Sequence, residues 1–194
     1  GDSPSNPQST LHVSSPASDG SGIRVSRTGS SGYLQIYPAY SGIPTLMSNN
    51  AGLHLGYNSS TAGIRIHTGN KVGVNQVAPK ASFQVEEYGI DTTTSSTTAT
   101  TQVAIHTFPI ADFRSARFTI QITNSTDSTY HSTEILAIHD GTTANITEFG
   151  EVHTGSSVEA TFDADVSSGN FRLLATPAST NSMSFKVVCH SLTV

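Results

Sequence analysis

Arg117-Phe118-Thr119-Ile120-Gln121-Ile122-Thr123 alternates polar and apolar residues without a break. Successive side chains of a strand point to opposite faces, so Phe118, Ile120 and Ile122 share one face and the polar residues share the other. A helix would spread the same residues around its circumference, and β-branched and aromatic residues suit a pleated surface. Thr161-Phe162-Asp163-Ala164-Asp165-Val166 alternates in the same way. Further strands are expected at 102–108, 134–139, 145–150, 170–176 and 183–194, separated by turn signals at 124–127, 140–141, 168–170 and 177–179. Seven or eight antiparallel strands at this spacing predict a β-sandwich head over residues 102–194. Cys189, the single cysteine, is in phase with Phe185 and Val187 and is expected as a buried core thiol.

Upstream the strands shorten. Gly22-Ile23-Arg24-Val25, Gly32-Tyr33-Leu34-Gln35-Ile36, Gly52-Leu53-His54-Leu55, Gly63-Ile64-Arg65-Ile66 and Gly73-Val74 each open on glycine and carry only a few apolar side chains. One chain of such units cannot bury enough surface to offset the entropy of ordering it. Three copies wound about one axis can, which predicts an intertwined trimeric β-shaft, triple-β-helix-like, over residues 1–88. Pro7-Gln8-Ser9-Thr10-Leu11-His12-Val13 returns as Pro79-Lys80-Ala81-Ser82-Phe83-Gln84-Val85, so the shaft is modular. Residue 1 is Gly, and a piece of a longer chain is expected.

Between the two modules lies Asp91-Thr92-Thr93-Thr94-Ser95-Ser96-Thr97-Thr98-Ala99-Thr100-Thr101. Residues 89–101 are therefore read as a Thr/Ser-rich linker or an exposed edge strand. The fold class expected is all-β throughout.

Charge excludes some partners. The net charge is −5; residues 1–88 carry five basic and four acidic groups, residues 89–194 four basic and ten acidic. With no cluster of Lys or Arg, phosphate-backbone binding lacks its driving force, and nucleic acid is not expected as a partner. No apolar stretch approaches the ~20 residues a helix needs to cross a bilayer, so membrane insertion is not expected either.

Catalytic and metal motifs are sparse. There is no Gly-x-Ser-x-Gly elbow, and no pair of carboxylates in a recognisable pocket pattern, so no enzyme and no cofactor are expected. Asp163 and Asp165 offer oxygens suited to a hard cation, but they alternate with Phe162, Ala164 and Val166 and read as outward solubilising groups. His54 and His67 would each be tripled by a three-fold axis, yet no His-x-His pair is present. These four are the metal candidates, with no metal expected. His131, His139, His153 and His190 are read as surface groups. Tyr33, Tyr37, Tyr40 and Tyr57 are read as packing residues of the shaft rather than ligand contacts.

Two stretches resemble a known family. Gly69-Asn70-Lys71-Val72-Gly73-Val74, leading to Pro79 through Val85, resembles the repeat of phage tail-fibre and tailspike shafts, with Lys71 inserted and Asn75 where that repeat has its second Gly. Phe113 through Ile122, Thr133 through Gly141 and Phe162 through Asp165 resemble terminal modules of fibre proteins from large cyanobacterial phages. The resemblance implies a virion-borne trimeric adhesin, acting in a tail fibre at the host surface. Its partners would be its own copies, a host-surface glycan or protein, and other virion tail proteins. A structural fibre, collar or baseplate component and a glycan depolymerase are the alternatives. Recognition is expected on head loops carried by a rigid scaffold, at Asn124, Thr126, Asp127, Tyr130, Asp140, Thr142 and Asn181.

Overall fold

The computed structural model describes residues 63–194 throughout and, before them, the strands at 23–26, 33–40, 43–48 and 53–55. Among the described residues every regular element is a strand: β1 (Ile23–Ser26), β2 (Tyr33–Tyr40), β3 (Ile43–Ser48), β4 (Leu53–Leu55), β5 (Ile64–His67), β6 (Lys71–Val74), β7 (Phe83–Val85), β8 (Tyr88–Thr97), β9 (Val103–Pro109), β10 (Phe113–Asn124), β11 (Thr129–His139), β12 (Ala144–His153), β13 (Ala160–Ser167), β14 (Asn170–Pro177) and β15 (Met183–Thr193). Among them no helix is long and apolar enough to cross a membrane.

β1, β2 and β3 form one antiparallel sheet. A nine-stranded sheet runs β12-β11-β10-β15-β8-β7-β6-β5-β4, and a three-stranded sheet runs β13-β14-β9. Pairing in these two is antiparallel except between β6 and β7.

β10 anchors the core. Phe118, Ile120 and Ile122 are fully buried and stand opposite Cys189, Val187 and Phe185 of β15 on one side. On the other side they stand opposite Ile135, Thr133 and His131 of β11. The three-stranded sheet closes this face through aromatic rings. Phe171 of β14 stacks on Phe108 of β9 at 4.7 Å and on Phe118 at 6.0 Å, and Phe113 meets Phe108 edge-on at 5.8 Å. Each such side chain contributes about 1.5–3 kcal/mol by leaving water. Phe162 and Ala164 of β13 pack against the same core, on the face opposite Asp163.

The polar run forms strand β8. It pairs along its length with β15, while β7 reaches only Tyr88, Gly89 and Ile90. Thr93, opposite the buried Val187, meets the buried His106 of β9, its hydroxyl 2.7 Å from Nδ1. Thr93 is itself exposed, and the contact gives the buried His106 imidazole a polar partner at the margin of the core.

Asn75, where the shaft repeat has glycine, has a left-handed backbone with φ of 52°. Asn tolerates that region better than other residues with a Cβ. Its side chain also accepts from the Gly63 amide and donates to Glu86. Gly73 is held to glycine by contact: a Cβ there would lie 2.5 Å from the Gln76 carbonyl oxygen.

Across β4 to β8 one face is apolar throughout. The register places Leu53 and Leu55 opposite Ile66 and Ile64, these opposite Val72 and Val74, then Phe83 and Val85, then Ile90 and Tyr88. None of these side chains is buried in the single chain; Leu55 is 52% exposed and Ile66 47%.

Candidate functional site

The predicted loop residues fall at two ends of the β10–β11 hairpin. Asn124, Thr126, Asp127, Tyr130 and Asn181 gather where β10 turns into β11. Asn124 is buried, contrary to its expected place on an exposed loop. Its Oδ1 accepts the amides of Thr126 and Asp127, and its Nδ2 donates to Glu159 at 2.9 Å. Asn181 donates to Asp127 at 2.6 Å, tying the loop before β15 to this turn. The cluster is a rigid knot of mutual hydrogen bonds, with Tyr130 exposed beside it.

Asp140 and Thr142 lie at the far end of β11, in the turn to β12. The Asp140 carboxylate accepts the backbone amides of Thr143 and Thr142 and the Thr142 hydroxyl, all within 2.8 Å. These donors, the Thr143 amide foremost, pull its pKa down to about 2.

The face of the nine-stranded sheet turned away from the core holds a groove of about 540 Å³. Tyr88, Leu136, His190 and Leu192 line it together with the Arg117–Glu134 ion pair, and Arg117 also lies 5.6 Å over the Phe149 ring. The Tyr88 hydroxyl is hydrogen-bonded to His190. A mixture of exposed apolar side chains with a fixed ion pair suits a ligand of mixed character, or another protein surface. Sequence reasoning missed this groove, since its lining comes from four strands with no local motif.

The metal candidates separate. Asp165 is engaged by Arg172, whose guanidinium holds its carboxyl below the usual range, and Asp163 accepts the neighbouring Ala164 amide. His67 Nδ1 lies 3.0 Å from the Thr68 carbonyl. The His54 side chain, like those of Tyr33, Tyr37, Tyr40 and Tyr57, lies outside the described residues.

Two histidines expected at the surface are buried, His131 and His139. Both are in phase with Ile135 and Ala137 along β11, a two-residue periodicity present in the sequence. His139 Nε2 lies 2.7 Å from the Phe113 carbonyl. Neither ring nitrogen of His131 has a partner. Leaving such groups unmet in an interior costs about 1–3 kcal/mol. Burial pushes the His131 pKa down, against the attraction of Glu151 and Glu148. The ligating atoms of His131, Glu148 and Glu151 lie within 4.8 Å of one another, so a carboxylate pair does exist where none was expected.

Cys189 is buried as expected, and burial pushes its thiol pKa up, leaving it an inert packing group.

No protein-family model matches the chain, and no curated protein does. Solved structures similar to it are phage tailspikes. The tailspike protein of Acinetobacter phage vB_ApiP_P1 has a TM-score of 0.37 at 16% identity, covering 79% of this chain and 26% of that one. Tailspike gp49 of Acinetobacter baumannii bacteriophage Fri1, a capsular polysaccharide depolymerase, has a TM-score of 0.33 at 15% identity, covering 55% and 18%. The tailspike of Acinetobacter baumannii phage AM24 has a TM-score of 0.30 at 8% identity, covering 55% and 26%. The chain thus spans about a quarter of these proteins or less, and no residue role, ligand or assembly is carried across. The expectation that the chain is not an enzyme is withdrawn, because one of the tailspikes similar to it is an enzyme. The lack of a local acid pattern does not decide the matter, because a β-bulge can bring acids to one face that regular alternation would separate, as it does Glu148 and Glu151.

Proposed function

We propose that this chain is a distal part of a homotrimeric phage tail fibre or tailspike that attaches the virion to the host surface. In this reading residues 1–88 form an intertwined β-shaft, 89–101 connect it, and 102–194 form a β-sandwich head. The observation that carries the reading is the uncovered apolar face of β4 to β8. A monomer leaves Leu55, Ile64, Ile66 and Phe83 in water. Two further copies of the same face are the natural cover, each Å² of apolar area removed from water being worth about 25 cal/mol. The shaft-like stretch from Gly69 to Val85 supplies β6, β7 and part of this face, which ties the sequence resemblance to the surface that needs partners.

A trimer also triples the head. Tyr130, the exposed end of the 124–127 turn and the groove beside Tyr88 are then presented three times. Weak sites for a host-surface glycan or protein gain avidity in this way without any tight single contact. The remaining partners in this reading are other virion tail proteins.

Light scattering on the purified chain tests the assembly. A mass three times the 20.3 kDa chain supports the reading, and a monomer overturns it. Incubating the trimer with a panel of bacterial surface polysaccharides, with retention and reducing-end release read together, separates attachment from depolymerisation.

A further inference from the structure

Glu148 and Glu151 are three residues apart on β12, a spacing that in a regular strand sends side chains to opposite faces. Gly150 changes this. The register steps from Ser132 opposite Val152 to Glu134 opposite Phe149, so Gly150 and Glu151 together face the single residue Thr133. Gly150 takes a left-handed φ of 67°, and the extra residue is a β-bulge. The bulge re-phases the strand. Glu148 stands opposite Ile135, His153 stands opposite His131, and Glu151 turns to the same face.

On that face His131 is 1% exposed, with both ring nitrogens unpartnered, and it supplies one of three ligating atoms within 4.8 Å of one another. His153 adds a fourth donor at the margin. Its Nδ1 lies 2.9 Å from the Gly155 carbonyl, which can only accept, so Nδ1 carries the hydrogen. Its Nε2 lies 3.9 Å from Glu151 Oε1.

We propose that His131, Glu148 and Glu151 bind a divalent transition-metal ion, Zn²⁺ by the chemistry of the donors, with His153 Nε2 as the next donor in reach. Imidazole nitrogen with carboxylate oxygen is a zinc-type set, whereas Ca²⁺ and Mg²⁺ call for shells of oxygen. Zinc bonds of about 2.0–2.2 Å need the donors closer together than they stand, and the two exposed glutamates are free to close that distance by rotation. The ion would complete a buried imidazole and fasten the edge strand β12 to β11.

The whole 194-residue chain, stripped with EDTA and dialysed, is titrated calorimetrically with ZnCl₂, CaCl₂ and MgCl₂, while NMR follows the histidine ring nitrogens. One Zn²⁺ per chain is expected, with a shift of the His131 ring nitrogens and no comparable binding of Ca²⁺ or Mg²⁺. Glu148→Gln and Glu151→Gln, both outside the core, should keep the fold and weaken Zn²⁺ binding about tenfold or more. The proposal is overturned if the folded chain takes up no Zn²⁺, if Ca²⁺ binds as well, or if both variants bind Zn²⁺ undiminished.

Discussion

Asn75 shows how one side chain can stand in for glycine. Its left-handed backbone admits Asn, and its amide bridges Gly63 to Glu86. Asn75→Ala should cost about 1–2 kcal/mol in urea denaturation, since it places a Cβ without compensating bonds in that region. Asn75→Gly should cost less, losing the bridges but relieving the backbone. His106 makes a different prediction. Burial, only partly offset by Asp91, lowers its pKa below the ordinary 6.5. The unfolded state therefore binds its proton more readily, so the stability due to neutral His106 is present above pH 6.5 and is lost as pH falls through the folded value. Melting temperatures measured from pH 7 to pH 5 should fall more steeply for the natural chain than for His106→Gln. Equal slopes would remove His106 from the account.

At the scale of elements, strands were legible where alternation was clean. Arg117 through Thr123 predicts the middle of β10, and Thr161 through Val166 predicts all but the ends of β13. Alternation predicts a strand from Glu134, yet β11 begins at Thr129. Its first half carries His131 and Thr133 on the core face, where polarity hid the period. β12 runs past Gly150 to His153 because a bulge lets it turn a corner that reads as a strand end. The same bulge made the Glu148–Glu151 pair illegible, because residues three apart share a face only when one extra residue intervenes. The expected strand at 170–176 matches β14 to within one residue, and its Phe171 bridges the two sheets by stacking on Phe118 of β10, with Phe108 of its own sheet stacked beside it. Phe171→Ala should cost about 3–5 kcal/mol in denaturant unfolding, monitored by loss of β circular dichroism. A cost under 1 kcal/mol would mean that the sheets do not depend on this stack.

For the whole molecule, the decisive quantity is how much apolar surface one chain leaves uncovered. The face from Leu55 to Tyr88 was legible in the short Gly-led units, because apolar residues two apart must share a side. Its continuity across five strands was not, since it depends on register. If this face is where a trimer closes, as proposed, Ile66→Asp places a charge in the middle of it and should reduce the mass measured by light scattering from three chains to one, leaving the core around β10 untouched. A trimer that tolerates this charge would put the shared face elsewhere.

β8 carries one more consequence. From Asp91 to Thr97 it pairs with β15 alone, so a row of amides and carbonyls is left open on its other side. An open strand of this length is a template on which foreign strands can add and from which fibrils can seed. Here the row is made of Thr and Ser, which give an incoming strand little apolar surface to gain. The low-complexity stretch that reads as filler between two modules is thus an edge of low appetite for foreign strands, and replacing its exposed Thr residues with Val should raise the tendency of the chain to aggregate.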